Sequence, residues 1–102
     1  MTSFHYRTER QERHAFIQEH IGEGNIIDSF VVDRGHPGGA EIHSVTDTAI
    51  IIIYNQRTNK IITELIARPE QLRRLYRSEN REVPREILSL AYKHNIASYN
   101  EI

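Results

Sequence analysis

The residues best able to do chemistry fall within one stretch of eleven, Asp33 to His43, around the loop Gly35-His36-Pro37-Gly38-Gly39. Asp33 and Arg34 precede the loop, His36 lies inside it, and Glu41 and His43 follow it. Glu41 and His43 are two apart in a stretch that reads as a strand, so their side chains share a face at a spacing of about 7 Å. A carboxylate and an imidazole so placed can bracket a reacting group as general base and general acid, and an unperturbed histidine titrates close enough to neutrality for either role. Arg68, at the end of a largely apolar run, adds a guanidinium. Set inside a sheet it needs either an anionic ligand or a carboxylate, and Glu64 on the same face is the carboxylate on offer. Each residue also has an ordinary reading: Glu41 and His43 as solvent-facing strand residues, His36 as part of a turn, Asp33 and Arg34 as a pair across it. Asp33, His36 and His43 have no recognised metal-ligand spacing. The glycines of the loop match neither a P-loop nor a Gly-x-Gly-x-x-Gly pattern. The expectation is a site without metal or cofactor.

These residues have to be positioned by the stretch Ala49–Arg68. Four isoleucines, Ile50 to Ile53, run into Tyr54, a polar turn follows from Asn55 to Lys60, and a second apolar run starts at Ile61. β-Branched runs flanking an Asn-rich turn predict a β-hairpin. If Tyr54 faces Ile61, simple alternation puts Ile50, Ile52, Tyr54, Thr63 and Leu65 on one face and Ile51, Ile53, Glu64, Ile66 and Arg68 on the other. With both faces mostly apolar, the hairpin belongs in the middle of a sheet that is partly covered on both sides.

The remaining elements follow in order. Residues 1–7 read as a loose arm, and Thr8 with Gln11 makes a capping box that starts a helix, which Gly22 or Gly24 ends. Its narrow stripe of Ala15, Phe16, Ile17 and Ile21 needs one partner surface, the open face of the sheet. Asn25–Arg34 and Ala40–Val45 read as strands, giving a four-stranded antiparallel meander. Pro69 opens a helix with Leu72, Leu75 and Tyr76 inward, and Pro84 opens another. The fold class is α+β: one domain with an N-terminal helix, the sheet core through residue 68 and a helical hairpin over 69–95.

The chain has 102 residues, a net charge of −1 and no cysteine. One domain with a modest core is expected, thiolate chemistry is excluded, and no apolar run approaches the roughly 18 residues of a membrane span. With a charged N-terminus the expectation is a cytoplasmic protein, whole or excised from a longer one. Charge is uneven: Asn55–Ser78 holds six basic and two acidic residues, a local +4 on a body of −5. Such a segment either meets phosphate or an acidic partner, or is a solvated helix face.

The helix, the meander and the third strand and turn I-I-I-Y-N-Q-R-T-N-K resemble the barnase–EndoU–colicin–RelE-like ribonuclease toxins over about Glu9 to Arg68. In several of these families an aliphatic strand runs into Tyr-Asn, a Thr/Asn turn and a last strand carrying Thr. The resemblance implies metal-independent RNA cleavage by attack of a 2′-hydroxyl on the adjacent phosphate. It implies His43 or His36 as acid/base, Glu41 as its partner, Arg68 as the phosphate clamp, and Thr63 and Lys60 in support; Arg34 and Arg73 are further substrate-binding candidates. The chain departs from the family in being slightly acidic and in having two helices after Arg68. Those departures keep a second expectation open: a non-enzymatic module, an immunity-type or phage-encoded inhibitor, that grips a cognate protein through its charged faces. A third is a homodimer covering an isoleucine-rich sheet that two thin helices leave partly bare.

Overall fold

In a computed structural model the backbone is described for residues 2–101 and the side chains for residues 11–95. The elements are α1 (Thr2–His20), β1 (Ile26–Val32), β2 (Glu41–Thr46), β3 (Ile50–Asn55), β4 (Ile61–Ile66), α2 (Pro69–Arg77) and α3 (Arg85–Glu101). The four strands form one antiparallel sheet in the order β1-β2-β3-β4, so the meander and the α+β class expected from sequence are what the chain adopts. Helix α1 begins upstream of the Thr8 capping box, which lies within it, and takes in most of the expected arm. Its C-terminus is set by Gly22, at φ +84, whose N–H donates to the Ile17 carbonyl at 2.7 Å. Pro69 is the first residue of α2, as its fixed φ favours.

The isoleucine run builds two cores because its side chains alternate across the sheet. Ile50 and Ile52 pack against Ile17 of α1 on one face. Ile51 and Ile53 join Phe30, Val45, Leu72, Leu75, Tyr76, Ile87 and Ala91 on the other, beneath α2 and α3. Burying such side chains stabilises by about 1.5–3 kcal/mol each, so the larger cluster dominates.

The alternation expected for β4 is corrected by a bulge. Tyr54 pairs with Ile61, but Ile53 pairs with Thr63 and Ile52 with Glu64, leaving Ile62 as the extra residue. One inserted residue exchanges the faces of everything after it. Leu65 therefore joins the cluster under α2 and α3, and Ile66 packs with Ile50 and Ile52. Strand β4 ends at Ile66, so Arg68 lies outside it as the exposed residue preceding α2.

Gly24 is the most constrained glycine. It sits at φ +76, and an added Cβ would lie 2.3 Å from Asp47 Oδ1 and 2.8 Å from Thr48 Cγ2. Those side chains are themselves held: Asp47 Oδ1 accepts the Asn25 N–H at 2.9 Å, and Thr48 Oγ1 donates to the Gly22 carbonyl at 2.9 Å. Gly24→Ala is expected to cost more than the roughly 1–2 kcal/mol of the left-handed backbone alone. Gly22→Ala, with nothing within 4 Å of its Cβ, should cost only the backbone part. Thermal melts of the two proteins check the ranking, and equal losses would contradict it.

Candidate functional site

Strand β2 carries His43 inward, with Val45, to the face covered by α2. The side chain is buried, at 4% exposure, rather than solvent-facing. Its Nε2 lies 3.1 Å from Glu41 Oε1, so the two residues contact each other instead of bracketing a space between them. A carboxylate only accepts, so this bond needs a proton on Nε2, and in the neutral ring Nδ1 is then an acceptor. Nδ1 is buried and has no hydrogen-bond partner among the described residues. An unsatisfied buried acceptor costs about 1–3 kcal/mol, which a ligand hydroxyl reaching it would remove.

His43 lines a cavity of about 310 Å³ between the end of β1 and α2, whose polar walls are Asp33, Arg34, Gln71, Arg74 and Ser78. Asp33 accepts the Gly35 N–H at 2.9 Å, an Asx turn, rather than pairing with Arg34. Arg34 and Arg74 are both exposed and form no ion pair among the described residues. Arg34, Arg74 and His43 thus line one concavity, and neither arginine has a carboxylate partner among the described residues, a composition suited to a phosphate. Among the described residues no group of three or more His, Cys, Asp or Glu is placed to hold a metal ion, and no helix is long and apolar enough to cross a membrane.

The other expected site residues lie elsewhere. Arg68 does not line the His43 cavity. It faces a neighbouring one of about 500 Å³ with Arg13, Glu70, Gln71, Arg74 and Asn95. Glu64 is not its partner: Glu64 pairs with His14 of α1, on the sheet face opposite α2. Thr63 accepts from Arg13 Nη2 at 2.9 Å and so fixes α1 to β4. Arg73 donates to the Tyr92 hydroxyl at 3.0 Å, with its guanidinium 5.9 Å from the ring centre, and holds α2 to α3. Lys60 is exposed in the β3–β4 turn and lines neither cavity.

His36 is exposed in the loop and lines neither cavity. Its carbonyl accepts the Gly39 N–H at 3.0 Å, and Asn55 Nδ2 donates to the Gly38 carbonyl at 3.0 Å. The loop is thereby docked on the β3–β4 turn. Sequence reading did not place Arg74 at the site, yet it lines the His43 cavity where Arg68 was expected. Its signal was there: with Leu72, Leu75 and Tyr76 buried, Gln71 and Arg74, three apart, share a helix edge. No protein-family model matches the chain, and neither a curated protein nor a solved structure does.

Proposed function

We propose that the His43 cavity is a phosphate-binding acid–base site and that the protein is a metal-independent ribonuclease. The observation that carries this reading is the buried, singly bonded His43, held by Glu41 in a cavity with two unpaired guanidiniums. Glu41 orients the ring and fixes its tautomer. Nδ1 takes the proton of the 2′-hydroxyl as that oxygen bonds to phosphorus. The P–O5′ bond breaks, the proton passes to the departing 5′ oxygen, and a 2′,3′-cyclic phosphate remains. Arg34 and Arg74 stabilise the charge that builds on the phosphoryl oxygens. The test is incubation of the purified protein with tRNA and mRNA without divalent metal, looking for cyclic-phosphate ends. Intact RNA under every condition refutes the reading.

A second reading, a partner-binding or self-associating module, is favoured by the edge strand β1. Ile26, Ile27 and Val31 are 55%, 42% and 60% exposed there, beside unpaired backbone groups. On this reading the protein dimerises, and Val31→Lys makes it monomeric by light scattering. A monomer at high concentration rules out the self-associating form.

A further inference from the structure

We propose that the cavity holding Arg68 is a second phosphate subsite, so that the ligand is a single-stranded RNA long enough to cross α2 from one cavity to the other. The inference rests on the reading of the His43 cavity as a phosphate site and extends it from one phosphate to a chain of them.

Gln71 and Arg74 line both cavities, so the two meet along one edge of α2. On the far side stand Arg68 and Arg13. The Arg13 guanidinium is held by its bond to Thr63 Oγ1 at 2.9 Å, and neither arginine has a carboxylate partner among the described residues. Among the described residues Glu70 is the one acidic residue lining this cavity, against Arg13, Arg68 and Arg74. Three guanidiniums around a concavity repel one another unless an anion lies between them. Asn95 adds selectivity: its Nδ2 is occupied by the Ala67 and Ala91 carbonyls at 2.8 and 2.6 Å, which leaves its carbonyl as an acceptor. That acceptor suits a base amino group or a ribose hydroxyl.

A third concavity, lined by Arg73, Arg77 and Arg81, is a poorer continuation. There Arg73 is engaged by Tyr92, Arg81 is engaged by Asp28 and Glu79, and Glu82 adds a negative charge. Charge therefore directs the chain toward Arg68.

The test compares uridine 3′-monophosphate with a single-stranded oligouridylate by calorimetry across a salt series, using wild type, His43→Gln, Arg68→Ala, Arg13→Ala and the control Lys93→Ala. Wild type should bind the oligonucleotide more tightly and with the steeper salt dependence. Each subsite substitution should lower that slope by about 0.7, the value for one lost phosphate contact on a single strand. Arg68→Ala and Arg13→Ala should leave mononucleotide binding unchanged, His43→Gln should weaken it, and Lys93→Ala should match wild type. If both ligands bind but Arg68→Ala and Arg13→Ala leave the slope intact, the second subsite is refuted while the His43 reading stands. If the oligonucleotide depends on Arg68 but the mononucleotide fails to bind and His43→Gln is silent, the subsite stands and the catalytic reading falls. Absence of binding by either ligand refutes both. Polyglutamate competing as well as the oligonucleotide assigns the arginines to an acidic protein and overturns the RNA subsite.

Discussion

Replacement of His43 by alanine is expected to lower RNA cleavage by about 10²–10⁴-fold, the usual contribution of one acid–base group. The cavity offers no substitute. Glu41 is already committed to Nε2, and the other charged walls are guanidiniums, which do not deprotonate, and Asp33, which is tied to a backbone N–H. Because His43 packs between Phe30 and Ile53 across the neighbouring strands, alanine also leaves a hole. Thermal melts must therefore accompany the assay, and His43→Gln, which fills more of the space, should melt closer to wild type and be equally inactive. Glu41→Gln keeps an acceptor for Nε2 and should lose less than Glu41→Ala. That order separates an orienting carboxylate from a mere charge. Arg74→Ala should cost about 10²-fold, as removal of one charge-stabilising donor does. Arg68→Ala should spare the cleavage of a dinucleotide. Full activity in folded His43→Ala protein would remove histidine from the chemistry altogether.

The outcome at β4 shows where a sequence can be read and where it cannot. Alternation through Ile50–Ile53 predicts a hairpin with two buried faces, and both faces are buried. The same rule fails after Ile62 because the bulge inserts a residue that the alternation cannot reveal. That one residue sends Glu64 to His14, while Arg68 misses the site because the strand ends at Ile66 and leaves it as the residue preceding α2. Glu41 and His43 share a face because β2 has no such irregularity between them. Their mutual contact was still not legible, since the spacing of two strand residues does not say whether their side chains diverge or lean together. Arg74 was missed for a different reason: a helix's burial pattern places an arginine on an edge, but not which strand end that edge will face.

The common feature of the two arginine cavities is their dependence on α2, and α2 is fixed to the sheet by a polar latch. Tyr76 is buried against Phe30, ring centres 4.8 Å apart, and its hydroxyl donates to Asp28 Oδ2 at 2.5 Å. Arg81 Nη2 donates to Asp28 Oδ1 at 2.9 Å and its guanidinium lies 5.1 Å from the Tyr76 ring centre. Strand β1, α2 and the α2–α3 turn therefore meet on one carboxylate. Sequence reading assigned Tyr76 to the core correctly but gave Asp28 no part.

Tyr76→Phe keeps the ring and removes only the hydroxyl, so it is expected to destabilise by about 1.5–3 kcal/mol, the range for a hydrogen bond to a charged group. In a domain of this size that lowers the melting temperature by roughly 4–8 °C per kcal/mol. Asp28→Asn should cost a similar amount, and the double variant less than the sum, because the two side chains form one interaction. The pH dependence has a definite sign. Burial pushes the Asp28 carboxyl up, but the Tyr76 hydroxyl and the Arg81 guanidinium outweigh it and hold its pKa below the ordinary 3.8. The carboxylate's contribution is accordingly complete above that value and is lost as the pH falls through the lower folded-state value. Burial first, and the bond to Asp28 second, push the Tyr76 phenol well above its ordinary 10.0. Its contribution is complete below 10.0 and disappears only at higher pH. Wild type and Asp28→Asn should thus differ by a constant amount from about pH 5 to pH 9 and converge as the pH falls below the ordinary carboxylate range. A difference that persists unchanged into acid would show that Asp28 acts through packing rather than charge, and α2 would then owe its position to the apolar core alone.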